Sequence, residues 1–152
     1  MKLLKRIKSF LFINNTTKLL FLEAYLFLAW ARFIKSKKFS KVASFLGTQM
    51  GETTLSLDKA NYKVLRDISQ SVHIMSKYTF WESMCLVRAI AAMKMLERRN
   101  IESTIYLGTA KDEAGKLIAH AWTRSGPFYI TGAEEMDRFV IVSKFAKRIE
   151  RK

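Results

Sequence analysis

Two side chains in this sequence have the chemistry of a nucleophile and its base, a thiol and an imidazole. Cys85 stands two residues after Ser83, at the predicted first turn of a helix. Free amide protons and the positive end of the peptide dipoles stabilise negative charge on sulfur there. His120 lies in Ala119-His-Ala-Trp122 on a predicted strand, where alternation puts Ile118, His120 and Trp122 on one face and Ala119 and Ala121 on the other. If that sheet packs on the helix, the imidazole can take the thiol proton and later return one to a leaving amine, which is acyl chemistry through a thioester. The bland alternatives are a buried, inert cysteine and a core histidine satisfied by a backbone carbonyl. His73, the other histidine, reads as structural or surface.

The elements that must position this pair change character along the chain. Asn14-Asn15-Thr16-Thr17 supplies caps for a helix over 18–34 that is apolar nearly all round and needs cover from partners, lipid or its own domain. A short amphipathic helix over 39–46 is closed by Gly47, and 54–78 is a mixed helical region. A helix over 84–99 sets Leu86, Ile90, Met93 and Leu96 on one side and stops at Asn100. Strands over 104–108, 117–124 and 128–131 follow, separated by turns at 111–116 and 125–127, and 144–152 reads as a basic, solvated helix end. Helices followed by antiparallel strands make an α+β fold.

Composition bounds the rest. The 152 residues are 49% hydrophobic with six glycines and one proline, which excludes collagen-like and disordered chains and predicts one domain over 1–152. A single cysteine excludes an intrachain disulfide or a multi-cysteine zinc site and points to a reducing cytoplasm. The charge is +14, and residues 1–50 concentrate it, with ten basic side chains against Glu23 alone, whereas 51–152 carry 17 basic and 12 acidic. No cleavage site follows the basic start, so no secretion signal is expected. The most apolar run, 19–31, is interrupted by Glu23 and falls short of the roughly 20 residues of a membrane span. Residues 1–50 can pack on the catalytic region, dock on a peptide or protein partner, or lie on an anionic membrane, since Lys2, Lys5, Arg6 and Lys8 bracket Leu3, Leu4, Ile7, Phe10 and Leu11. No nucleic-acid motif is present, so specific nucleic-acid binding is not expected.

The runs Trp81-Glu-Ser-Met-Cys-Leu-Val-Arg-Ala-Ile90, Met95-Leu-Glu-Arg-Arg-Asn-Ile101, Tyr106-Leu-Gly108 and Ala119-His-Ala-Trp122 resemble the leader peptidase of lasso-peptide biosynthesis, the standalone protease half of the B protein. Lys38-Phe-Ser-Lys-Val-Ala-Ser-Phe-Leu-Gly47 is similar to the N-terminal region of that family. The resemblance implies a transglutaminase-like, papain-like cysteine protease core over 51–152 behind a helical region over 1–50. It also implies Cys85 as nucleophile, His120 as base, and no metal or other cofactor. The implied partners are a precursor peptide, a separate leader-recognition protein and a lasso cyclase. The family carries an aspartate on the strand after the histidine, where this chain reads Ile130-Thr131-Gly132. Thr131, Asp137, Glu134, Glu135 or a backbone carbonyl could orient the ring instead, while Asp112 belongs to a turn. Trp81 and Trp122 flank the pair as aromatic core or as the lining of a substrate cleft. An oxyanion hole could combine the Cys85 amide with the Trp81 indole or Ser83. Two other readings share the residues: an acyl transferase in which an amine resolves the thioester, and a non-enzymatic basic adaptor that binds peptide or membrane.

Overall fold

The computed structural model describes residues 1–81 and 84–150. Helices α1 (Lys2–Phe12), α2 (Asn15–Lys35) and α3 (Phe39–Leu46) come first, then a two-residue strand β1 (Thr48–Gln49) and helices α4 (Tyr62–Ser76) and α5 (Cys85–Glu97). Strands β2 (Ser103–Lys111), β3 (Leu117–Ser125), β4 (Phe128–Thr131) and β5 (Val140–Lys147) complete the chain. The five strands form one antiparallel sheet in the order β1-β5-β2-β3-β4. This is the expected α+β architecture, helices packed on a small antiparallel sheet.

Three boundaries have a clear local cause. The Asn14 side chain accepts a hydrogen bond of 2.8 Å from the Thr17 amide and starts α2. At the other end of α5, Asn100 adopts φ 56°, and the amides of Asn100 and Ile101 return to the carbonyls of Glu97 and Leu96, a left-handed cap that turns the chain into β2. Asp112 closes the β2–β3 hairpin by accepting from the amides of Ala114 and Lys116.

Helix α5 is the centre of the molecule. It lies between the sheet and α2, with α4 beside it over β4. Val87, Ala89, Ile90, Ala91, Ala92, Met93, Met95 and Leu96 are all buried, so its apolar surface runs nearly all round rather than along one side. A row of alanines lets neighbours approach closely, and α2 meets it through Ala24, Leu28, Ala31 and Ile34. Glu23 fastens the pair, its carboxylate accepting from Arg99 at 2.7 Å and from Arg98 at 3.1 Å.

Three expectations change. The region around 144–150 is not a helix end; residues 140–147 form β5, which sits inside the sheet between β1 and β2 and buries Phe145 and Ala146. The β-branched run Val140-Ile-Val142 and the pairing offered by β2 outweigh the lysines, of which Lys144 pairs with Glu52 and Lys147 with Glu97. In the 54–78 region only Tyr62–Ser76 is α-helical, after a single 3-10 turn at Lys59–Asn61. Residues 53–58 instead run over the outer face of the sheet, where the buried Arg124 guanidinium donates to the carbonyls of Thr53 and Thr54. Strand β1 was absent from the sequence reading, being only two residues long.

Candidate active site

Cys85 is the first residue of α5, as expected; Met84 caps the helix with extended backbone and no side-chain bond. The thiol is free and half-buried. Its helix crosses the sheet over β3, where the Thr123 hydroxyl donates to the Ala89 carbonyl at 3.2 Å. From that crossing Cys85 lies one helical turn, about 6 Å, toward the helix start. His120 lies three strand residues, about 10 Å, toward the same end of the sheet, because α5 runs antiparallel to β2 and β2 to β3.

The His120 ring is fixed by main chain. Its Nε2 lies 2.8 Å from the Gly132 carbonyl. A carbonyl only accepts, so Nε2 carries the proton and Nδ1 of the neutral ring is the bare nitrogen. This contact depends on Gly132, whose φ is 75° and where a Cβ would stand 2.7 Å from the Ala121 carbonyl oxygen and 3.1 Å from His120 Nε2. The ring is 8% exposed, between Phe139 at 5.0 Å and Trp122 at 5.7 Å, and Trp122 in turn stacks on Tyr106. Gly108 makes room for this packing, since a Cβ there would meet Phe139 and the Trp122 ring within 2.9 Å.

Alternation separates His120 and Trp122 from Ala121 and Thr123 as expected, but it is Ala121 and Thr123 that meet α5, so the expectation that the imidazole faces the helix is not met: the ring and the start of α5 lie on opposite faces of the sheet. The Cys85 sulfur and the ring are not hydrogen-bonded to each other. Strand β4 ends at Thr131, opposite Thr123, so β3 from His120 onward toward Leu117 has no β4 neighbour. Gly132 instead lies against β3 there, beside the Ala121 carbonyl and the His120 ring.

The remaining sequence candidates fall as follows. Thr131 is not on the ring; its hydroxyl is buried and without a partner. Asp137, Glu134 and Glu135 are exposed on a 3-10 turn, Ala133–Arg138, that carries the chain from β4 to β5, and none bonds His120. Trp122 is 3% exposed and backs the imidazole rather than lining a surface. Trp81 packs on Tyr25 and Phe80, with its indole nitrogen buried and without a partner. Ser83 lies outside the described residues. His73 is on the exposed side of α4.

Of the orienting groups the sequence left open, the backbone carbonyl is the one on the ring, and it belongs to Gly132, where an aspartate was sought. Sequence reasoning passed over one group. Arg88, three residues after Cys85, lines a cavity of about 230 Å³ with Gln70, His73, Thr131, Gly132 and Glu134. Its Nε is buried and unpartnered. A larger cavity of about 880 Å³ lies near Thr53, Glu102 and Gly126, at the far end of β3 from His120. Among the described residues, no three His, Cys, Asp or Glu side chains converge as a metal site would require.

Residues 26–144 match the transglutaminase-like superfamily. The chain belongs to that family. The match spans α5 and all of β2, β3 and β4, so both candidate residues lie inside it. No curated protein and no solved structure matches the chain.

Proposed function

We propose that the protein is a cysteine peptidase that removes the leader from a ribosomally made lasso-peptide precursor, with Cys85 as nucleophile and His120 as general base. The observation that carries the reading is the Nε2–Gly132 bond, which commits Nε2 as the donor and leaves Nδ1 as the acceptor nitrogen of the neutral ring. Family membership and the position of Cys85 at the start of a 13-residue helix support it. This chemistry requires that the thiol and the base, which lie on opposite faces of the sheet in the free protein, come together when substrate is bound.

The chemistry balances with the chain's own groups. The thiol proton passes to Nδ1 as sulfur attacks the scissile carbonyl, forming a tetrahedral oxyanion near the uncapped first amides of α5. Collapse expels the amine, which takes the proton from the imidazolium and leaves a thioester on Cys85. Water then adds to the thioester with its proton moving to Nδ1, and the carboxylic acid departs as the thiol is restored. The freed amine is then available to a separate cyclase, and a separate recognition protein presents the leader.

The test is incubation of the protein with precursor and recognition protein, followed by mass analysis. Cys85→Ala is expected to abolish cleavage and His120→Ala to reduce it by about 10²–10⁴-fold, with circular dichroism unchanged. Undiminished processing by Cys85→Ala overturns the reading. A product that carries an added amine in place of hydroxyl assigns the acyl-transfer alternative.

A further inference from the structure

The N-terminal helices present two apolar stripes that nothing in the fold covers. Helix α1 buries none of its residues. At 100° per residue its Leu3, Leu4, Ile7, Phe10 and Leu11 share an arc of about 120°, and Lys2, Lys5, Arg6 and Lys8 occupy the opposite side. Those five apolar side chains are 46% to 70% exposed. On α2, the stripe Ala24, Leu28, Ala31 and Ile34 faces α5, while Leu19, Leu22, Leu26 and Phe33 lie on the other side, each more than half exposed. Its greasiness all round is thus only half satisfied by its own fold.

We infer that this surface docks on an anionic phospholipid bilayer, α1 lying in the interface with its apolar side inserted. Charge selects the occupant. Ten basic residues lie in 1–50, and the one acidic residue there, Glu23, is consumed by Arg98 and Arg99. Lysine at this density is depleted from the core of protein interfaces but is characteristic of the polar side of helices that lie on membranes. No described helix is long and apolar enough to cross a membrane, so the contact is peripheral. The readout is lipid binding and does not depend on the peptidase reading.

The experiment is co-sedimentation of the full chain with vesicles. Partition is expected with phosphatidylglycerol–phosphatidylcholine vesicles, reversal by high salt, and little partition with phosphatidylcholine alone. The triple variant Leu3→Ser, Ile7→Ser, Leu11→Ser should lose binding, and Lys2→Gln, Lys5→Gln, Arg6→Gln, Lys8→Gln should weaken it about a hundredfold or more. Because α1 buries nothing, both variants keep the wild-type thermal midpoint. Equal binding to neutral vesicles, or wild-type partition by the triple variant, overturns the inference. Absence of binding to either vesicle also overturns it and transfers the surface to a protein partner.

Discussion

At His120 the group that accepts the Nε2–H hydrogen bond is part of the main chain. A carboxylate in that place would both aim the ring and supply a counter-charge, whereas a carbonyl dipole only aims it. The sequence offered the histidine plainly, through a strand with small neighbours, but left its acceptor open between side chains and a backbone carbonyl, because a carbonyl has no side-chain signature. No exchange at Thr131 or Asp137 is expected to free the ring. Gly132→Ala is the substitution that should, since it forces a left-handed residue and a Cβ into contact with His120 and β3. We expect a loss of about 2 kcal/mol in chemical denaturation together with loss of cleavage. Arg88 makes the opposite prediction. Its buried Nε is unpaired, so Arg88→Met should raise stability by about 1 kcal/mol in the same denaturation measurement.

At the scale of elements, the helices were legible where a cap and an apolar stripe coincided, as at Asn14 for α2 and Asn100 for the end of α5. The hairpin β2–β3–β4 was legible from its turns. What the sequence hid were elements decided by partners distant in the chain. Strand β5 reads as a charged tail until β2 supplies its neighbour, and residues 54–58 read as helix until Arg124 claims the Thr54 carbonyl. Glu52 is the other fastening of that segment. A hydrogen bond from Lys144 at 2.7 Å, with a further bond from the Tyr106 hydroxyl, holds its carboxyl below the ordinary 4.5. A carboxyl depressed by folding adds stability above its unfolded value and surrenders it as pH falls through the folded one. Glu52→Gln should therefore lower the melting temperature at neutral pH by about 1–3 °C and flatten the decline on acidification below 4.5, measured as unfolding midpoints across pH.

For the whole molecule, α1 contributes charge and apolar surface but no core. Deletion of residues 1–13 is expected to leave the melting temperature within about 2 °C of the intact chain, read by calorimetry. The opposite holds for α5. Because it touches the sheet, α2 and α4 at once, it has no private unfolding transition. Its amides should exchange with deuterium only when the entire protein opens, and heat that erases the surroundings of Cys85 erases everything else in the same step.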